Sequence, residues 1–225
     1  MTRPGGATAV VPLRDGVSGK SRLAAVLDPG ARRRLVRVLA RHVVGTLLAS
    51  DGVDGVVVVT ADPAFTRESL AGLDVEVLEQ PVARPGLNAA LEHAREVLAA
   101  RAPSSARLLV AHADLPALTR ADVMALLAEP APVVIATDRN RSGTNLLLVP
   151  PPSPAGLPFE TEVGFRFRFG VGSLAAHLVE AAAAGLDASV VHRPGTAVDL
   201  DTADDWAELP AAVRAAVGRE VPGLM

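Results

Sequence analysis

Leu108-Leu109-Val110-Ala111-His112-Ala113-Asp114-Leu115-Pro116 is an apolar run that ends on a single carboxylate, with a proline two residues later. The run reads as a buried strand that the proline stops. In open α/β sheets, ligands bind just beyond the carboxyl ends of the strands. Asp114 therefore falls where a magnesium ion and its nucleotide would sit. The plainer reading is that Asp114 caps the helix expected to start near Thr119.

On both sides of this strand, apolar runs alternate with helical periodicity. Strands are expected at Thr8 to Leu13, Val53 to Thr60, Val75 to Leu78, Ala131 to Ala136, Leu146 to Val149 and Ala188 to His192. Leu35, Leu39 and Val43 recur at helical spacing, and Asp28-Pro29 reads as an N-cap with proline in the first turn. Further helices are expected from Asp62-Pro63, from Leu87 to Ala100, from Thr119, from about Ser173 to Ala184 and from about Asp204. Thr119-x-x-Asp122 is close to a capping box. Alternating strands and helices imply an α/β fold with a mostly parallel sheet. The 225 residues fit one domain, 1–225.

Composition narrows the function. Hydrophobic residues make up 49% and aromatics 3%, which gives a core of small aliphatic side chains. A formal net charge of -3 argues against nucleic-acid binding through bulk charge. No apolar stretch reaches the ~20 residues of a membrane span. The absence of cysteine excludes thiolate ligands and nucleophiles. With no apolar leader before the first strand, the expectation is a cytoplasmic protein. The arginines of the first helix, Arg32, Arg33, Arg34, Arg37 and Arg41, read as a solvated face.

Several stretches carry chemistry. After the first strand comes Arg14-Asp15-Gly16-Val17-Ser18-Gly19-Lys20-Ser21-Arg22-Leu23, in which glycines let backbone N–H groups approach an anion and Lys20 and Arg22 add charge. It lacks the spacing of a Walker loop and also reads as a polar turn. Pro85-Gly86 closes a loop before Asn88, whose amide has the donor and acceptor needed to read a base edge; Asn88 also reads as an ordinary early helix residue. Arg141-Ser142-Gly143-Thr144-Asn145, between two strands, offers donors to a phosphate or forms a hairpin turn. Pro150 to Pro158 reads as a loop. Phe165-Arg166-Phe167-Arg168-Phe169 alternates strictly, either as an edge strand packing its aromatic side or with its arginines facing an anionic substrate. Phe169-Gly170-Val171-Gly172-Ser173 opens a helix as a second candidate anion site. Asp199 and Asp201, two apart, point the same way on an extended segment, so either or both could reach one metal; acids here also suit a helix cap.

A cationic glycine loop, a lone aspartate after a central strand and a late aspartate pair together describe a nucleotide bound through its phosphates, with Mg²⁺ held by two carboxylates. The chain resembles the guanylyltransferases of coenzyme F-420 biosynthesis, which join GMP to 2-phospho-L-lactate or to phosphoenolpyruvate. The resemblance is carried by Val11-Pro12-Leu13-Arg14, Gly19-Lys20-Ser21-Arg22-Leu23, Gly86-Leu87-Asn88-Ala89-Ala90-Leu91, Ala113-Asp114-Leu115-Pro116, Gly143-Thr144-Asn145, Phe169-Gly170-Val171-Gly172-Ser173 and Asp199-Leu200-Asp201-Thr202. The chain departs from the pattern at Arg14, where a lysine is usual. The resemblance implies a single-domain MobA-like (Rossmann-like) nucleotidyltransferase fold with helices on both faces of the sheet. It implies Lys20, Arg22 and Asp114 as catalytic residues, Leu13, Arg14, Lys20, Gly86 and Asn88 as nucleotide-binding residues, and Thr144, Gly170 and Ser173 as the hold on phosphoenolpyruvate. Asp114 and a late aspartate, Asp199 by preference, would carry Mg²⁺. The implied partners are GTP and a small phosphorylated acid, with hand-off to the downstream deazaflavin transferase. The alternatives are a nucleotidyltransferase for a molybdopterin or sugar phosphate, and a non-catalytic nucleotide-binding module.

Overall fold

The computed structural model describes residues 6–14, 20–101, 106–151 and 164–224. Asp15 to Gly19 of the glycine loop, and most of the proline-rich segment, lie outside the described residues. The strands are β1 (Ala7–Leu13), β2 (Val53–Thr60), β3 (Glu76–Glu79), β4 (Arg107–Ala111), β5 (Val133–Thr137), β6 (Thr144–Val149) and β7 (Ala188–Val191). The helices are α1 (Pro29–Leu48), α2 (Pro63–Ser69), α3 (Leu87–Arg101), α4 (Arg120–Leu127), α5 (Ser173–Ala183), α6 (Ala203–Glu208) and α7 (Ala211–Glu220).

One seven-stranded sheet runs in the order β3-β2-β1-β4-β6-β5-β7. Every neighbour pair is parallel except those made by β6, which is antiparallel to both β4 and β5. From β1 the chain moves outward through β2 and β3, then returns to place β4 on the other flank of β1. Such a reversal of strand order opens a crevice at the carboxyl ends of the two central strands. Leu13 ends one of these strands and Ala111 the other.

Helices cover both faces, as the resemblance implies. On one face, Val36, Ala40, Val43 and Leu47 of α1 pack with Phe65 of α2 and Val123 and Leu126 of α4. On the other, Ala90, Leu91 and Ala94 of α3 and Ala181 of α5 pack with Phe165, Phe167 and Phe169. The local signals act as read. Asp28 accepts from the Ala31 N–H with Pro29 in the first turn, and Thr119 and Asp122 form a reciprocal capping box. The arginine face of α1 ties this helix to α2: Arg33 lies 4.3 Å over the Phe65 ring, Arg37 pairs with Glu68, and Arg41 donates to the Ser69 and Ala71 carbonyls.

Residues 165–169 differ from the strand expectation in an instructive way. The alternation holds, with three buried phenylalanines and two exposed arginines. Among the described residues no strand pairs with the segment; side chains take over its backbone groups. Arg95 donates to the Phe165 carbonyl, Glu92 accepts from the Phe167 N–H at 3.1 Å, His177 from the Arg168 N–H at 2.9 Å and Asn88 from the Phe169 N–H at 2.8 Å. Buried peptide groups need partners, and here α3 and α5 supply what a ladder would. Arg168 turns outward to Glu180.

The segment 193–201 returns across the crevice as a strap. Arg193 donates to buried Asp122 at 3.1 Å, Asn145 donates to the Thr196 carbonyl at 2.8 Å, Arg139 N–H donates to the Ala197 carbonyl at 2.7 Å and Leu200 N–H to the Asp114 carbonyl at 3.0 Å. A Cβ on Gly195 would lie 2.1 Å from Asp122 Oδ2 and 2.7 Å from the Ala117 carbonyl oxygen. Gly195→Ala is therefore expected to lower unfolding stability by about 1–3 kcal/mol, the usual range for overpacking. Denaturant unfolding of the variant checks this, and a wild-type midpoint would show that the strap does not press on α4 as described.

Candidate active site

The carboxylates reach the crevice because of one apolar residue. Leu200 is fully buried with Leu23, Leu35 and Leu39. On an extended segment its neighbours must then face the other way. Asp199 and Asp201 thus turn toward Asp114, to whose carbonyl the Leu200 N–H is bonded. A cleft of about 440 Å³ results, lined by Leu13, Arg14, Lys20, Arg22, His112, Asp114, Asp199 and Asp201, with Pro12, Val36, Leu39, Leu87 and Ala113.

Lys20 is the centre of this cleft. Its Nζ lies 2.6 Å from Asp114 Oδ2 and 2.5 Å from Asp201 Oδ1, and its side chain is 7% exposed. Its backbone is in the left-handed region, at φ 58°, which costs a non-glycine residue about 1 kcal/mol and persists only where the surroundings enforce it. Burial alone would lower the Lys20 pKa, but Asp114 and Asp201 hold it above the ordinary lysine value. Burial would raise Asp114, yet the Lys20 ammonium, with a smaller effect of His112, keeps its carboxyl below the usual range. Asp199 lacks such a partner. Burial first, then the Asp114 charge, push its pKa up. Its polar neighbour is the Asn145 amide, at 3.5 Å.

Three carboxylates share this cleft with the Lys20 ammonium, and Arg14 and Arg22 also line it. Asp114 Oδ1 is buried with no hydrogen-bond partner among the described residues. Among the described residues, no group of three His, Asp or Glu side chains closes on one point as a complete metal site. A hard divalent cation that takes part of its shell from substrate phosphates needs only one or two carboxylates. The orphaned Asp114 oxygen and the uncompensated Asp199 fit that need.

The other sequence-derived residues fall into two neighbouring sets. Gly86, at φ 97°, and Asn88 lie at the start of α3. Gln80 Nε2 closes the loop before them onto the Arg84 and Gly86 carbonyls. The Asn88 amide grips Phe169 at both backbone atoms, donating to its carbonyl at 3.0 Å and accepting from its N–H. Thr144 and Ser173 are buried together, and the Thr144 N–H donates to Ser173 Oγ at 2.9 Å. Gly170 and Gly172, both at positive φ, carry the chain around the exposed tip before α5. This set does not line the carboxylate cleft. It adjoins the cleft through His112, whose ring lies 5.2 Å from that of Phe169.

Two histidines escaped the sequence reading. His112 directly succeeds β4, and its Nε2 is buried without a partner among the described residues. His177 is fully buried. It stands four residues after Ser173, so helical spacing placed it on the same face. Thr144 Oγ1 lies 3.0 Å from His177 Nδ1. Burial pushes the His177 pKa down to about 4, with the His112 charge adding to this and Glu180 opposing it.

An α/β sheet with carboxylates and cations gathered at the crevice between its central strands defines a nucleotidyltransferase type of architecture. The same fold occurs in a Desulfovibrio desulfuricans chain described as a nucleotide-diphospho-sugar transferase (TM-score 0.72, 14% identity, 98% of this chain and 93% of that one). It also occurs in a nucleotidyl transferase of Methanothermobacter (TM-score 0.64, 22% identity, 95% and 98%). The chain belongs to the guanylyl transferase CofC-like family, whose pattern matches residues 7–213. It is 41% identical to a phosphoenolpyruvate guanylyltransferase of Rubrobacter xylanophilus, over 91% of this chain and 93% of the relative. It is 33% identical to a 2-phospho-L-lactate guanylyltransferase of Methanothermobacter thermautotrophicus (89% and 82%). It is 34% identical to a 3-phospho-D-glycerate guanylyltransferase of Phenylobacterium zucineum (90% and 89%). The chain is thus an enzyme of the nucleotidyltransferase class. No helix among the described residues is long and apolar enough to cross a membrane.

Lys20→Met leaves Asp114 and Asp201 without their counter-charge. The expected cost is about 2–3 kcal/mol, less than for a fully buried pair because Asp201 is 43% exposed. Urea unfolding without divalent ions reads it, and an unchanged midpoint would deny the ammonium its role. For His177, the folded pKa of about 4 lies below the ordinary 6.5. Its contribution to stability is therefore complete above pH 6.5 and fades as the pH falls toward 4. Between pH 7.5 and 5 the wild type should lose more stability than His177→Gln; parallel losses would contradict the buried neutral ring.

Proposed function

We propose that this enzyme transfers GMP from GTP to phosphoenolpyruvate, releasing pyrophosphate, as a single domain over residues 1–225. The observation that carries the reading is Lys20 held between Asp114 and Asp201 at the crevice, with Asp199 alongside and Arg14 and Arg22 at its rim. The names of the relatives support a small phosphorylated acid as acceptor. Among such acids phosphoenolpyruvate is preferred because relatives at 41% and 37% identity carry its name.

Charge dictates the mechanism. A phosphate monoester with a second pKa of ~6 is mostly dianionic at neutral pH and needs no general base. One of its oxygens attacks the α-phosphorus of GTP in line, the P–O bond to the β-phosphate breaks, and pyrophosphate leaves. The obstacle is repulsion between two polyanions, so the protein's task is alignment and positive charge. Lys20, Arg22 and Arg14 meet the triphosphate and the departing pyrophosphate. Leu13, Gly86 and Asn88 bound the nucleoside, with the Gln80-closed loop framing guanine. Thr144, Gly170 and Ser173 hold the acid. Mg²⁺ on Asp114 and Asp199, when bound, neutralises charge at the reacting phosphates. The product, an anhydride of two phosphates, suits transfer to a following enzyme such as the deazaflavin transferase, in the cytoplasm.

Pyrophosphate release tests this reading, with Mg²⁺ present and GTP, ATP and CTP crossed with phosphoenolpyruvate, 2-phospholactate and 3-phosphoglycerate. GTP with phosphoenolpyruvate should give the fastest release. Asp114→Asn should lower turnover by about 10²-fold or more, the scale of losing one charge-stabilising group, while the fold persists. Release with another acid would change the acceptor. Silence in a protein that binds GTP would favour a binding module.

A further inference from the structure

His177 has no assigned role, yet it fixes the direction of the hydrogen bond to the Thr144 hydroxyl. Its Nε2 accepts the Arg168 backbone N–H at 2.9 Å, so that nitrogen carries no proton. A neutral imidazole then has its one proton on Nδ1. Nδ1–H must donate to Thr144 Oγ1, 3.0 Å away. The Thr144 hydroxyl cannot donate back. Its own hydrogen is left to turn elsewhere, and no acceptor for it lies among the described residues. Ser173 is set in the same way: its Oγ accepts the Thr144 N–H at 2.9 Å, which leaves its hydrogen free as well. The chain runs one way, from the Arg168 amide through His177 to Thr144, and from the Thr144 amide to Ser173. It ends in two hydroxyl hydrogens on adjacent, buried side chains.

We infer that His177 is a positioning residue that occupies Thr144 Oγ1 from the ring side and turns its hydroxyl hydrogen away from the ring, so that Thr144 and Ser173 together donate to an anionic oxygen cluster on the second substrate. The inference rests on the proposed placement of the acceptor acid at Thr144, Gly170 and Ser173. Ionised carboxylate and phosphate oxygens accept and do not donate, so two O–H groups whose hydrogens are free to turn toward them suit them. The same ring holds the loop that carries these residues. It lies edge-on to Phe169 at 4.7 Å and stacks on Phe165 at 5.8 Å. Asn88 clamps Phe169 from the nucleotide side. Loss of the His177 nitrogens should therefore be felt by the acid and hardly by GTP.

The test compares wild type with His177→Phe, which keeps a planar ring and loses both polar atoms, and His177→Gln, which keeps one donor and one acceptor. His177→Phe should raise KM for phosphoenolpyruvate by about tenfold, the loss of ~1.4 kcal/mol of binding, with KM for GTP within about twofold. His177→Gln should recover most of the loss. Thr144→Val should resemble His177→Phe, and the double variant should be no worse than Thr144→Val alone, because both act through one hydroxyl. Calorimetric binding of phosphoenolpyruvate is measured on the same proteins. An unchanged acid KM and affinity in His177→Phe, or equal losses for acid and GTP, would overturn the inference while wild-type turnover leaves the proposed function standing. A wild type that neither turns over nor binds the acid overturns both.

Discussion

The Lys20 ammonium, held between Asp114 and Asp201, is the interaction on which the site depends. A partly buried carboxylate such as Asp114, with a quarter of its side chain exposed, costs stability unless a counter-charge accompanies it. Lys20 arrives from the β1 side and Asp201 from the far end of the chain, so the contact joins three distant segments at the carboxyl ends of the central strands. Its strength comes from burial. Its incompleteness is as telling, because Asp199 and the second oxygen of Asp114 remain without cationic partners. A closed salt bridge would stabilise and do nothing else. This one leaves negative charge facing a cleft ringed by cations.

That arrangement was legible wherever local pattern decides geometry. The apolar run into Asp114 gave a buried strand, and the switch-point rule placed its end at the crevice. Asp199-Leu200-Asp201 gave two acids on one side because Leu200 must go inward. Which of the two meets Lys20 was not legible. Both are equally placed by alternation, and the choice depends on where Lys20 stands, which is a tertiary fact. The arginine face of α1 misled for the same reason: its partners are on α2, so a pattern that looks solvated is partly an inter-helix tie.

Residues 165–169 show a different limit. Alternation reports which side chains are buried, and that held for all three phenylalanines. It says nothing about who satisfies the peptide groups. A strand and a side-chain-braced extended segment share one sequence signature, and only the surrounding elements separate them. Glu92, Arg95 and Asn88 on α3, and His177 on α5, were invisible as braces because each is separated from its peptide partner by nine or more positions.

The reversal of β6 ties these levels together. In a fully parallel sheet, the catalytic edge receives only strand ends, and each strand contributes the loop at its carboxyl end. β6 runs against β4, with Ala111 opposite Leu146 and the His112 N–H bonded to the Asn145 carbonyl. The start of β6 therefore lies at the same edge as the end of β4. A strand start brings its first residues, Thr144 and Asn145, to that edge of the sheet with their backbone already fixed by the ladder. Asn145 reaches the strap that carries Asp199, while Thr144 reaches Ser173 and His177 on α5. One antiparallel strand thus joins the carboxylate cluster to the buried Thr144, Ser173 and His177. A hairpin at Asp138 to Gly143, which by sequence looked like either a turn or a phosphate loop, is what makes that reversal possible.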